Sequence, residues 1–121
     1  MDRPPALLRA YGHLANIAAP LLFRRIRDRL LAHGTLPGRT RERLGHATVA
    51  RPSGPLIWIH GASVGETLSA LPVLAALRDR TDPPTILVTS GTATSAQILA
   101  QRLPGGCIHQ FAPLDGARAL R

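Results

Sequence analysis

The stretch Leu56-Ile57-Trp58-Ile59-His60-Gly61-Ala62-Ser63-Val64-Gly65-Glu66 joins an apolar run to a helix start, and its reading decides the fold. Residues 56–59 are continuous and apolar, the pattern of a short strand buried in a parallel sheet. Small residues then let the backbone turn tightly. Ser63-Val64-Gly65-Glu66 fits the capping box, a Ser followed three residues later by Glu, each side chain satisfying an orphan N–H of the first helical turn. At such a joint the new helix directs unpaired N–H groups and partial positive charge at whatever lies above it. Glu66 is the one carboxylate held there, open to a capping role, a chemical role, or both.

Other motif readings fit less well. Gly61-Ala62-Ser63-Val64-Gly65 matches the Gly-x-Ser-x-Gly nucleophile elbow, which would make Ser63 a hydrolase nucleophile. The only His after Ser63 is His109, the acids between them are Asp79 and Asp82, and residues 56–59 read as the first strand, so the context of that motif is missing. No Lys follows the second Gly, as a P-loop requires, and the spacing is not Gly-x-Gly-x-x-Gly.

Downstream, the periodicity predicts a helix over residues 64–80 with Leu68, Leu71, Leu74, Ala75 and Leu77 buried and a kink or local break at Pro72. Strands are predicted over 85–89 and 107–112, with a helix between them ending near 103. This β-α-β-α-β order is that of an α/β domain with a parallel sheet. In such sheets ligands bind at the carboxyl ends of the strands, which gathers three loops on one rim: 60–66, 90–95 and 113–116. The hydroxyls of Ser90, Thr92, Thr94 and Ser95, and Asp115, are candidate ligand groups there, with helix capping as their structural alternative.

Upstream, residues 6–31 predict an amphipathic helix with Leu7, Tyr11, Leu14, Ala18, Leu21 and Leu22 on one side and Arg9, His13, Asn16 and Pro20 on the other. The uncharged run from 10 to 23 is shorter than the roughly 20 residues a spanning helix needs. The cluster Arg24-Arg25-Ile26-Arg27-Asp28-Arg29 follows it, as at the cytoplasmic side of an anionic bilayer. An interfacial helix is therefore expected, with Arg24, Arg25 and Arg27 on the membrane surface. The alternative is packing against the helix's own domain. Residues 32–55, rich in Gly and Pro, read as a loop and linker carrying Arg39-Thr40-Arg41-Glu42-Arg43.

Composition narrows the function. All fifteen basic residues of the 121 are Arg, and the formal net charge is +8. Ten of them, against three of the seven acidic residues, fall in the first 51 positions, so the basicity is local. No aromatic interleaving or binding module accompanies it, which argues against nucleic acid. Cys107 alone excludes an internal disulfide and reads as a small residue at the start of a buried strand. The basic residues follow the apolar run, unlike a cleavable signal peptide.

Four segments taken in order resemble the N-terminal part of the bacterial 3-deoxy-D-manno-octulosonate (Kdo) transferases. They are Arg39-Thr40-Arg41-Glu42-Arg43-Leu44-Gly45, Trp58-Ile59-His60-Gly61-Ala62-Ser63-Val64-Gly65-Glu66, Ile86-Leu87-Val88-Thr89-Ser90-Gly91-Thr92-Ala93-Thr94-Ser95 and Phe111-Ala112-Pro113-Leu114-Asp115. The second is the most specific. Gly61 stands where the family often has Ala, and Leu44 where it usually has an aromatic.

The resemblance implies a glycosyltransferase of GT-B type, with two Rossmann-like domains facing across a cleft. Residues 1–31 would be the membrane-associated helix, 32–55 the linker and 56–121 part of the acceptor-binding domain, in a chain that reads as truncated. The donor CMP-Kdo would bind mainly to the other domain, and the acceptor would be a lipid A precursor at the cytoplasmic face of the inner membrane. Glu66 would be the general base of an inverting transfer, without cofactor or metal. Ser63 and Gly65 would shape the turn, and Ser90, Thr92, Thr94 and Ser95 would meet acceptor phosphate or sugar. A helix N-terminus favours the ionised carboxylate but weakens it as a base, which calls for partial burial against the apolar helix. Another GT-B enzyme with a different nucleotide sugar, or a non-catalytic acceptor-binding fragment, fits the same residues.

Overall fold

The computed structural model describes residues 5–114, so Asp115 lies outside the described residues. Helix α1 (Ala6–Ala32) is followed by a 3₁₀ helix (Pro37–Leu44), then β1 (Leu56–His60), α2 (Val64–Arg78), β2 (Thr85–Ser90), α3 (Ala93–Arg102) and β3 (Cys107–Phe111). The three strands form a parallel sheet in the order β1-β2-β3, with Trp58 opposite Leu87 and Thr89 opposite Gln110. The α/β class and the parallel sheet are therefore as the sequence indicates.

The sheet has one dressed face. Strand alternation turns Ile59, Ile86, Val88 and Cys107 to that side, where they meet Leu71, Leu74 and Leu77 of α2, Leu99 of α3 and Leu103 just beyond it. Burying each of the larger aliphatic side chains contributes about 1.5–3 kcal/mol. Burial of the Cys107 thiol pushes its pKa up, opposed by the nearby Arg78, so it sits there as a small apolar group rather than a reactive thiolate. On the opposite face Leu56, Leu87, Ile108 and Gln110, with Ala47 and residues 49–52, line a cavity of about 190 Å³.

Burial along α2 differs from the expectation at Ala75. Ala75 is exposed, whereas Thr67 is buried because its hydroxyl donates to the Ser63 carbonyl at 2.8 Å and so enters the interior satisfied. The helix is not broken at Pro72 and runs on to Arg78. In α1, only the C-terminal end packs: Leu30 and Ile26 meet Ala93, Ala96 and Phe111. The apolar side chains before it are in solvent, with Leu7, Leu14 and Leu21 84%, 67% and 69% exposed. Among the described residues these three leucines pack into neither buried cluster.

The segment read as linker contains the most constrained charge in the molecule. Pro37 starts the 3₁₀ helix, the Thr40 hydroxyl donates to the Pro37 carbonyl at 2.8 Å, and Gly45 ends it at φ 84°, a left-handed conformation that favours Gly. Residues three apart eclipse in this helix type, which sets Arg39 over Glu42. The guanidinium donates to both carboxylate oxygens at 3.2 and 3.1 Å. Glu42 is 2% exposed and also accepts the Phe111 backbone N–H at 2.7 Å and the Thr48 hydroxyl. Burying a carboxylate is costly unless its lone pairs are matched this fully.

Arg39 carries the linkage onward. It donates to the His109 carbonyl at 3.1 Å and to His109 Nδ1 at 2.9 Å, and it lies 4.9 Å over the Phe111 ring. A guanidinium only donates, so His109 Nδ1 is the acceptor and Nε2 carries the proton, which goes to Ser90 Oγ at 2.8 Å. Burial foremost, helped by Arg39 and opposed by Glu42, lowers the His109 pKa to about 4.

Glu42→Ala strands Arg39 and the Phe111 amide, so denaturant unfolding should show a loss of roughly 3–5 kcal/mol; a loss under about 1 kcal/mol contradicts the assignment. The unfolded chain binds a proton at His109 near pH 6.5 and the folded one only near 4, so stability present above pH 6.5 is lost as pH falls toward 4. His109→Asn keeps an acceptor for Arg39 and should flatten the stability profile across that window.

Candidate functional site

The carboxyl ends of β1 and β2 carry two turns of the same design. Each places a hydroxyl residue with extended backbone at the N-cap of the next helix: Ser63 for α2 and Thr92 for α3. Ser63 Oγ accepts the Glu66 N–H at 3.2 Å, and Thr92 Oγ1 accepts the Ser95 N–H at 3.1 Å. Both are favoured N-cap residues because the short side-chain oxygen reaches the third helical amide.

In the first turn, the Gly61 N–H donates to the Thr89 carbonyl at 3.0 Å, tying the turn to β2. Gly61 is needed for close approach, since a Cβ there would sit 2.7 Å from the buried Thr67 Oγ1. Glu66 reaches back so that Oε2 accepts the Ala62 N–H at 2.6 Å, one residue earlier than in the standard capping box. Its other oxygen makes no bond among the described residues, and the side chain is exposed, without burial against α2. Gly65 lies beside it with open space around it, the nearest atom to a Cβ built there being Ser63 Oγ at 3.9 Å. The turn thus presents one half-engaged carboxylate over bare backbone at a helix N-terminus.

The second turn is spent differently. Ser90 and Ser95 are 0% and 1% exposed. Ser95 Oγ donates toward Ser90 Oγ at 2.8 Å and the Thr92 carbonyl at 2.9 Å, while Ser90 meets His109 Nε2. Of the four hydroxyls expected to face a ligand, these two support the turn from inside. Thr92 and Thr94 are on the surface. Thr92 also donates to Ser95 Oγ at 2.8 Å.

On α1, Arg24 and Arg25 are exposed, but Arg27 is half-buried, paired with Asp28 at 3.2 Å and 6.0 Å from the Phe23 ring centre. No group of three His, Cys, Asp or Glu among the described residues converges as a metal site.

Sequence reasoning did not single out Arg39, Glu42 and His109, the groups that hold the second turn. Arg39 and Glu42 carry a faint signal in their i,i+3 spacing, but His109 joins them only through the sheet. His60 was likewise not singled out. Its Nδ1 lies 3.0 Å from Thr89 Oγ1, which also accepts the Trp58 indole N–H at 2.9 Å.

Comparison with known proteins places the chain in a family. Residues 38–121 match the family model described as 3-deoxy-D-manno-octulosonic-acid transferase. A probable mitochondrial 3-deoxy-D-manno-octulosonic acid transferase of Arabidopsis thaliana is 38% identical over 112 residues, covering 93% of this chain and 25% of that protein. A 3-deoxy-D-manno-octulosonic acid transferase of Rickettsia bellii is 36% identical over 109 residues, covering 90% and 26%. That of Rickettsia felis is 48% identical over 60 residues, covering 50% and 13%. The chain thus spans about a quarter or less of the length of these curated relatives. No solved structure matches it. With the parallel sheet, the capped Ser63–Glu66 turn and these matches in agreement, the chain belongs to the 3-deoxy-D-manno-octulosonic-acid (Kdo) transferase family and corresponds to its N-terminal part.

Proposed function

We propose that the full-length protein is a GT-B glycosyltransferase that moves Kdo from CMP-Kdo to a lipid A precursor, and that these residues supply the acceptor side of its cleft. The observation that carries this reading is the exposed Glu66 carboxylate, fixed by one oxygen to the Ala62 amide with the other open at the rim. Holding a base in one geometry removes the orientational cost of proton transfer. The free oxygen takes the proton of the acceptor hydroxyl, and the hydroxyl oxygen bonds to the anomeric carbon of Kdo from the face opposite the nucleotide. The bond from that carbon to the CMP phosphate oxygen breaks, the electron pair leaves with CMP, and configuration inverts. A facing domain that closed over the rim would supply the desolvation that Glu66 lacks here.

The acceptor is held, in this reading, by the surface hydroxyls of Thr92 and Thr94, with Ser63 and Gly65 keeping the turn open and Ser90 and Ser95 bracing the second loop. Asp115 remains a further candidate. No metal or cofactor enters the reaction.

The exposed apolar side of α1, ending in Arg24 and Arg25, supports an interfacial helix that seats the cleft at headgroup height on the anionic cytoplasmic face of the inner membrane. Among the described residues no helix is long and apolar enough to cross a membrane. Arg27, already paired with Asp28, contributes less than the other two.

Full-length protein incubated with CMP-Kdo and a tetra-acylated lipid A precursor should transfer Kdo, and Glu66→Gln should lower kcat by about 10²–10⁴-fold. Gln still accepts from the Ala62 amide, so folding and acceptor binding should persist. Undiminished transfer by the variant would return Glu66 to capping alone, and transfer from a different nucleotide sugar would change the donor. Arg24→Glu with Arg25→Glu should weaken binding to anionic liposomes, and unchanged binding contradicts the interfacial role.

A further inference from the structure

His60 closes β1 at the same rim as Glu66, and its ring is held in one protonation pattern by its neighbours. The Trp58 indole N–H can only donate, so Thr89 Oγ1 accepts it at 2.9 Å. Thr89 is 3% exposed, and its own hydroxyl proton needs an acceptor, since a buried unsatisfied hydroxyl costs about 1–3 kcal/mol. Among the described residues the partner within reach is His60 Nδ1 at 3.0 Å. Nδ1 is therefore the lone-pair nitrogen and Nε2 carries the hydrogen. Nε2 makes no bond to the described residues, and the side chain is exposed. The second nitrogen of a histidine decides what the first can do, and here an indole and a buried hydroxyl reserve an N–H for something outside.

We infer that His60 is a substrate-binding residue whose Nε2–H donates to an anionic oxygen, either an acceptor phosphate or the donor sugar carboxylate, beside the Glu66 base. This rests on the transferase reading given above. Trp58 and Thr89 are the positioning residues, which gives a role to an indole that is 61% exposed yet fully committed at its nitrogen. The His60 donor stands at the strand end and Glu66 at the helix end of one short loop at the carboxyl edge of β1.

Two amide variants separate binding from a purely structural task. The amide of Gln reaches the place of Nε2, and that of Asn the place of Nδ1. In the full-length enzyme His60→Asn should raise one KM by about 10-fold or more with kcat little changed, and His60→Gln, which restores a donor at the place of Nε2, should raise that KM clearly less. A rise in the lipid KM assigns the acceptor phosphate, and a rise in the CMP-Kdo KM assigns the donor carboxylate. A wild-type-like Asn variant with an impaired Gln variant, or no change in either, overturns the inference.

In protein labelled with ¹⁵N-histidine, two-bond nitrogen–proton correlations above pH 7 should show His60 with its hydrogen on Nε2, and Thr89→Val should release that preference. Hydrogen on Nδ1 in the wild type overturns it. This arm needs no turnover, so a protein that transfers no Kdo refutes the transferase reading while the tautomer still decides this one.

Discussion

The Glu42 carboxylate is the constraint on which the rest of the structure leans. A charge with 2% exposure survives only with its lone pairs taken, and here they are taken by three separate parts of the chain. The 3₁₀ helix supplies Arg39, the following loop supplies Thr48, and the end of β3 supplies the Phe111 amide. Arg43 adds a bond to the Ala112 carbonyl, and the Leu114 amide returns one to Arg43. The segment ahead of β1 thus completes the outer edge of the sheet, where β3 would otherwise offer unpaired backbone.

From that anchor a line of hydrogen bonds runs through Arg39, His109, Ser90 and Ser95 to Thr92. It ends at the second of two turns built alike. The first turn has no such support from inside. It is tied to β2 by backbone and capped by its own Ser63 and Glu66, and it leaves a carboxylate oxygen and an open glycine on the surface. One turn is braced from the interior and the other is left accessible.

Much of the fold was legible because it follows from local pattern. Apolar runs at 56–59, 85–89 and 107–112 became β1, β2 and β3 within a residue at each end, and both caps were readable from Ser63 and Thr92. What was not legible depends on tertiary partners. Gly and Pro at 34, 37, 38 and 45 read as a loop, yet Pro starts and Gly ends an ordered 3₁₀ helix whose charged pair is buried. Ser90 and Ser95 read as ligand hydroxyls because nothing in their own segment reveals that His109, on the adjacent strand, turns them inward. Glu66 was readable as a cap and as a chemical group together; the structure shows the cap, with one oxygen bound to the Ala62 amide and the other without a bond among the described residues.

The account places a sugar hydroxyl at that second oxygen, and the most direct measurement is an experimental structure of the full-length protein with the lipid acceptor bound. The account predicts the attacking hydroxyl within about 3 Å of the Glu66 oxygen not held by Ala62, with the Ser63 cap intact. An acceptor bound elsewhere, with its reactive hydroxyl beyond reach of Glu66 and another base beside it, would contradict it.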